Sequence, residues 1–317
     1  MSPTLLPSSD LPAGMAARRA RPDLHGMTGR VDPIGRIGPG RAGYLLTAGL
    51  AAAALAAGAA TFLAKDSIAG PAAAVGCARG TALVVAVLAT PLMVGSMLMA
   101  RRGSLRAVVV WLGAAAYLLY NAFVLLFATP YNRFFLLYVA MFSLALWSIG
   151  TVLVQSDVAR LRRQVTGSLP AHAIAIYAWI VVALNALIWL RGIVPTITAA
   201  DPGSFLVASG VTSQPVYVQD LAVWLPLMAV AASWLWRGRA WGYMLTSSLL
   251  VLWVLEAFGI GTDQWFGSQA DPGSVLASAA MTPAFLTWAA VGVVPVVLAL
   301  RPLRRESAAS VPTTEGI

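Results

Sequence analysis

Two acidic side chains stand out because they lie in or beside stretches that are otherwise apolar. They are Asp220 and Glu256. Ionisable groups at membrane depth are costly, so each is a candidate functional residue. We predict that Asp220 opens its helix at the outer membrane surface and that Glu256 lies about 5 Å below the outer end of the next helix. Such a carboxylate pair could bind a cation, a proton or an amine.

Polar aromatic and amide side chains accompany this pair. Tyr117, Tyr120 and Asn121 are spaced i, i+3 and i+4, which places them on one face of a helix. Arg133 lies in a tight turn that follows this helix. We predict one outward-facing pocket, whose binding residues are Tyr117, Tyr120, Asn121, Arg133, Tyr138, Tyr217, Asp220 and Glu256.

A purely structural interpretation stays open for each of these residues. Asp220 would cap the start of its helix, where free N–H groups stabilise a carboxylate. Arg133 would form ion pairs with the two carboxylates. Tyrosines near a membrane surface commonly belong to the interfacial aromatic belt, and Asn121 would hydrogen-bond between helices.

Residue usage argues against several kinds of chemistry. Cys77 is the only cysteine, so the chain has no internal disulfide and no thiolate cluster. The two histidines, His25 and His172, lie far apart and outside the long apolar stretches, which disfavours a histidine zinc site or a bis-histidine haem. We predict no catalytic residues, no metal site and no cofactor. A membrane enzyme acting on lipid-linked substrates is the least favoured reading.

The composition indicates a membrane protein. Hydrophobic residues make up 59% and charged residues 10% of the chain, whereas about a quarter of a soluble domain is charged. A net charge of +9 would suggest nucleic acid in a soluble protein. Here the excess is arginine in loops and in the N-terminal tail. We therefore expect the lipid bilayer, and no nucleic acid, as a partner.

Eight apolar segments are each near the length of about 20 residues that a spanning helix needs. The predicted fold is an all-α, polytopic transmembrane bundle of about eight helices. It occupies residues 43–300, between a disordered basic tail at 1–42 and a short tail at 301–317. The segments are 43–64, 81–100, 104–129, 134–154, 173–193, 219–236, 240–259 and 279–300.

The distribution of basic residues predicts the orientation. With eight segments, 17 of the 21 arginines and lysines fall on one side of the membrane. Loops that keep arginine and lysine normally stay in the cytoplasm. We predict that both termini are cytoplasmic and that the protein belongs to the bacterial cytoplasmic (inner) membrane.

Two connecting regions carry local patterns. Residues 155–172 predict a short amphipathic helix, with Val158, Leu161 and Val165 facing lipid. The sequence ADPGS occurs at 200–204 and again at 270–274. Aspartate before proline is typical of a helix start, so both copies predict one.

Two stretches resemble a family of uncharacterised bacterial multi-pass inner-membrane proteins. They are YLLYN (117–121) with YNRFFLLYVA (131–140), and TSQPVYVQDL (212–221) with LPL (225–227) and RAWGY (239–243). The resemblance covers residues 105–255, implies a conventional helix bundle and brings no activity with it. It draws attention to Tyr120, Asn121, Tyr217 and Asp220. The family pattern has Thr-Asn where Ser213-Gln214 stand here.

Two functional hypotheses follow. The first is a small-solute or ion permease, or a sensor, with Asp220 and Glu256 as the charged contacts. The alternative is a non-catalytic accessory or scaffold subunit that binds an envelope protein through its outer loops. An Asp220→Asn or Glu256→Gln change should abolish the first activity and leave the second intact.

Overall fold

The computed structural model describes residues 40–64, 66, 68–165 and 169–303. Within these residues the chain is helical, without strands, and eight helices are long and apolar enough to cross a membrane. They are α1 (Arg41–Leu63), α2 (Ala72–Ala100), α3 (Leu105–Phe127), α4 (Phe135–Gln155), α5 (Ala171–Ile197), α6 (Pro215–Trp236), α7 (Ala240–Ala270) and α8 (Ala279–Leu300). The predicted fold class is confirmed. Most of both predicted tails, 1–39 and 304–317, lies outside the described residues.

Burial separates central from peripheral helices. Most of α3 and α7 is buried inside the bundle, whereas α5 and α8 leave most of their apolar surface exposed. Since lipid solvates apolar side chains as well as protein does, the exposed faces of α5 and α8 suit a bilayer. The helices α3 and α7 therefore form the centre of the bundle.

Several helices are longer than the hydropathy pattern predicts. The largest differences are at the start of α2, which begins at Ala72 and not at 81, and at the end of α7, which continues to Ala270 and not to 259. These added turns contain glycine and polar residues. They are helical because they pack on each other, a contact that hydropathy does not report.

The added turns of α2 and α7 approach each other closely through glycines. A Cβ atom at Gly76 would lie 2.5 Å from the carbonyl oxygen of Phe266, and one at Gly80 would lie 2.8 Å from the Asp263 backbone. Gly76 and Gly80 are four residues apart and share one helix face. This is the spacing by which small residues let membrane helices meet.

Two π-helical turns interrupt spanning helices just before prolines. Val85–Ala89 precedes Pro91 in α2, and Asp220–Trp224 precedes Pro226 in α6. Proline removes a backbone donor and clashes with the preceding turn, and a wider turn accommodates it. The second π-turn places Asp220 inside α6.

The arginine-rich loops meet at one end of the bundle, here called the basic end. The Arg106 guanidinium donates to the carbonyl oxygen of Arg301 at 2.7 Å, and the Arg101 guanidinium lies 4.7 Å from the centre of the Tyr44 ring. The opposite end carries the loops 198–214 and 271–278. We call it the outer end, following the predicted orientation.

The short helix predicted between 155 and 172 is present at Val158–Val165. Its predicted lipid contact is wrong. Val158, Leu161 and Val165 are buried in the protein core, where the helix packs against α7, while Arg162 and Arg163 are exposed. A neighbouring helix end offers the same apolar environment as lipid, so amphipathicity alone does not distinguish them.

The two ADPGS copies differ in structure. In both, the aspartate accepts a hydrogen bond from the glycine N–H two residues later, at 3.1 Å for Asp201 and 3.2 Å for Asp271. Asp201 begins a short 3₁₀ helix at Pro202–Leu206. Asp271 follows the end of α7, so the predicted second helix start is wrong.

Candidate ligand-binding site

The α7 helix directs two carboxyl groups into one region of the interior. Glu256, Ile260 and Asp263 are spaced i, i+4 and i+7, so they share a face, and the two acids are about 10 Å apart along the axis. Glu256 is 7% exposed. Asp263 is partly buried, because its side chain borders a cavity.

The close contact between α2 and α7 holds Asp263 in place. The Thr81 hydroxyl lies 3.0 Å from each carboxylate oxygen of Asp263, and its one proton is shared between them. The Cys77 thiol donates to the backbone carbonyl of Asp263 at 3.4 Å. Gly80, the residue before Thr81, has no room for a side chain against Asp263.

Sequence reasoning missed Asp263 because the predicted helix ended at 259. A signal was present. Asp263 and Gly267 are four residues apart on the α7 face that meets Gly76 and Gly80 of α2, whereas Gly259 faces Tyr117 of α3. Paired small-residue faces of this kind indicate helix contact beyond the apolar core.

Glu256 lies deeper than the sequence predicted. Because α7 extends to Ala270, Glu256 is about 20 Å from the outer end of the helix by helical rise, not 5 Å. The Asn121 side-chain amide donates to its Oε2 atom at 3.3 Å and to the Tyr117 carbonyl at 3.1 Å. A carboxylate near the middle of a spanning helix is costly unless something compensates its charge.

Asp220 is the third carboxyl group of this region and is only 1% exposed. The Trp189 indole N–H donates to its Oδ2 atom at 2.9 Å, and the Tyr120 side chain lies beside it. Its Oδ1 atom has no hydrogen-bond partner among the described residues. The capping interpretation is wrong, since α6 begins at Pro215 and Asp220 lies within the helix.

The three acids form one electrostatic group. Asp220 and Asp263 both act on Glu256 through space. Their repulsion is strong in an interior of low dielectric constant, so bound protons or a cation must offset it. In the described part of the chain, no three acidic, histidine or cysteine side chains converge closely enough to hold a metal ion.

Two connected cavities reach Glu256 and Asp263, while Asp220 lines neither of them. The outer cavity, about 270 Å³, runs from the outer loops to Asp263, and the inner cavity, about 290 Å³, continues to Glu256. They share part of their walls, including Thr81, Trp189, Ile260 and Asp263. Among the described residues that line them, none is arginine, lysine or histidine. The lining is therefore acidic and otherwise neutral.

The structure brings six of the eight predicted residues to this region. Asn121 and Glu256 line the inner cavity, and Tyr217 lines the outer one. Tyr120 lies beside Asp220, behind the wall formed by Trp189. Tyr117 is fully buried, and its hydroxyl has no hydrogen-bond partner among the described residues.

Arg133 and Tyr138 do not line either cavity. The Tyr138 hydroxyl is 2.8 Å from the Thr61 hydroxyl, in the contact between α1 and α4. Arg133 is exposed, with its guanidinium 5.6 Å from the centre of the Phe134 ring. Both are close in sequence to the helix that carries Asn121, yet the α3–α4 turn directs them away from the cavities.

The arrangement suits the binding of a positively charged group between α2, α3 and α7. Trp189 connects this space to Asp220 on α6. Comparison of the chain with known protein families, with curated proteins and with solved structures gives no match.

Proposed function

We propose that this protein binds a small organic cation, an amine, in the connected cavities and serves as a permease or sensor for it. We place it in the bacterial cytoplasmic membrane with the outer end facing out. One observation carries the proposal. Asp263 and Glu256 border cavities whose described lining residues include no basic side chain.

Charge compensation favours a cationic ligand. A buried carboxylate needs hydrogen-bond donors or an opposite charge. The Thr81 hydroxyl supplies one donor to Asp263, and the Asn121 amide supplies one to Glu256. An ammonium group would add both donors and charge, and so relieve the repulsion among the three acids.

The shape of the site favours an organic cation. Glu256 and Asp263 are about 10 Å apart along α7, with Ile260 between them and Val124 and Val216 in the facing wall. Binding sites for small molecules typically combine apolar walls with a few placed polar groups. An ammonium group attached to a carbon framework matches this pattern.

Movement of the ligand is supported by the π-turns. The π-turn at Val85–Ala89 follows Thr81 by one helical turn, and the turn at Asp220–Trp224 begins with an acid of the site. Such turns are frequent at functional sites. We infer that α2 and α6 change their local geometry when the site is occupied.

Binding is tested with benzylammonium as the probe and benzyl alcohol as its neutral control. Equilibrium dialysis of the protein in lipid nanodiscs should show saturable binding of the amine only. Glu256→Gln and Asp263→Asn should each lose it. The matched control Asp201→Asn changes an exposed outer-loop acid and should bind normally. Equal binding by all three variants would refute the proposal.

Transport is then separated from sensing. Proteoliposomes loaded with buffer should accumulate labelled benzylammonium faster than protein-free liposomes if the protein is a permease. A sensor would bind the amine and leave this rate unchanged. In either case Glu256→Gln should behave as protein-free liposomes do.

A second candidate function is a scaffold that binds an envelope protein. Val207 and Val275, in the two outer loops, are 74% and 92% exposed. Replacing both by aspartate should abolish crosslinking to a partner in native membranes and leave benzylammonium binding intact. Asp263→Asn should do the reverse. Unchanged crosslinking in the valine variant would exclude these loops as the docking surface.

A further inference from the structure

A groove separates the two peripheral helices α5 and α8. The α5 helix packs mainly on α6 and α8 mainly on α7, so α5 and α8 touch each other at few points. The groove between them has a volume of about 330 Å³ and is bordered by Tyr177, Ala284, Thr287, Trp288 and Val291. Ala284, Thr287 and Val291 are exposed on the bundle surface, where a bilayer would surround them.

A small cavity of about 50 Å³, here called the junction, has lining residues in common with both the groove and the inner cavity. This junction shares Trp288 with the groove, and Glu256, Ile260 and Phe285 with the inner cavity. Glu256 therefore borders both the inner cavity and the junction, and Trp288 lies between the junction and the groove.

The junction contains an indole donor that is not used. The Trp253 Nε1 atom is buried and has no hydrogen-bond partner among the described residues. Asn185 borders the same junction from α5, and its amide donates to the Val181 carbonyl at 2.8 Å. The Asn185 side-chain oxygen is an acceptor that an ammonium group can use, whereas the Trp253 N–H, like an ammonium group, can only donate.

We propose that the ligand is an amine with a single hydrocarbon chain, whose ammonium group binds at Glu256 and whose chain lies in the α5–α8 groove. This inference rests on the proposed function and narrows its ligand to lipophilic amines. Charge complementarity selects the occupant. A phospholipid phosphate would be repelled by the three acids, and an uncharged lipid would leave their charge uncompensated.

The groove selects by geometry and not by hydrophobic affinity. A hydrocarbon chain that leaves the bilayer for an apolar groove gains little, because lipid is equally apolar. The ammonium group provides the affinity, and the groove determines whether a chain can accompany it. A side chain that blocks the groove should therefore abolish the binding of long-chain amines and leave the binding of short amines unchanged.

The test uses dodecylammonium with a photoreactive diazirine in its chain, and the matching dodecanol as a neutral probe. In nanodiscs, the amine should label the α5 and α8 segments that border the groove, and excess unlabelled dodecylammonium should suppress this labelling. Glu256→Gln should reduce the labelling at least tenfold, to the level of the alcohol probe.

Two variants of α8 separate the groove from the rest of the helix. Ala284→Trp fills the groove, whereas Ala290→Trp makes the same change at an exposed position outside it. We expect Ala284→Trp to lose dodecylammonium labelling and keep benzylammonium binding, and Ala290→Trp to keep both.

The outcomes distinguish the two proposals. Equal labelling of both tryptophan variants, or equal labelling by the amine and the alcohol, would overturn the proposal that the ligand is a lipophilic amine. Benzylammonium binding would in that case still support the proposed function. Failure of the wild-type protein to bind either amine would overturn both.

Discussion

Two regions of this bundle bury polar side chains in different ways. Between α1, α3 and α4, the Thr47 hydroxyl pairs with Ser148 at 2.6 Å and accepts from the Trp111 indole at 3.2 Å. Between α2, α3, α6 and α7, Glu256 and Asp263 border cavities, and Asp220 has a carboxylate oxygen with no hydrogen-bond partner among the described residues. We call these the paired region and the acidic region.

The comparison distinguishes polar side chains that hold helices together from polar side chains that could bind a ligand. The paired region contains neutral groups that satisfy one another, as does Thr61 with Tyr138, and none of these residues borders a described cavity. A satisfied buried network rigidifies the packing around it. The acidic region combines three ionisable groups, cavities beside two of them and an unpaired oxygen on the third, which packing alone does not require. Burial of polar groups is common to both, so it does not by itself identify a site.

The largest expected effect is the loss of binding in Glu256→Gln. Removing one partner of a buried ion pair costs about 3–5 kcal/mol, so benzylammonium affinity should fall by about 100-fold or more. Dialysis in nanodiscs gives the dissociation constant, and size-exclusion chromatography verifies the fold. A change of less than threefold would remove Glu256 from the site and weaken the contrast between the regions.

A smaller effect is expected from Gly80→Val, which separates α2 from α7. The added side chain meets the Asp263 backbone at 2.8 Å, and overpacking of this kind costs about 1–3 kcal/mol. The unfolding temperature in detergent should fall, and amine binding should weaken because Thr81 moves from Asp263. The control is Gly95→Val on the same helix, where nothing lies within 4 Å. Equal unfolding temperatures would show that the contact tolerates separation.

The smallest effect is expected in the paired region. Thr61→Val removes the hydrogen bond to Tyr138, and such bonds between membrane helices contribute about 0.6 kcal/mol on average. The unfolding temperature should drop slightly, and benzylammonium affinity should stay within twofold of the wild type. A tenfold loss of affinity would show that the paired region also serves the site.

The sequence located much of the acidic region and misjudged its extent. Asp220, Glu256 and Asn121 were identifiable because polar groups are conspicuous among apolar residues. Asp263 was not, since it follows the long apolar run of α7 and lies in a stretch with glycine and polar residues that resembles a loop. Arg133 and Tyr138 were assigned to the pocket by their proximity in sequence. A turn between two helices can direct neighbouring residues to opposite sides, and hydropathy carries no information on that direction.

The sequence by itself determined the eight helices, because crossing a hydrocarbon layer demands about 20 apolar residues with all backbone groups paired. It also showed which few ionisable residues lie in apolar segments, where each of them is a candidate functional residue. Only the tertiary structure decided that α7 continues past Asp263, that glycines bring α2 against it, and that Glu256 borders both the inner cavity and the junction beside the α5–α8 groove. These features depend on which helices touch, and the contacts of a helix depend on side chains that lie far apart in the sequence.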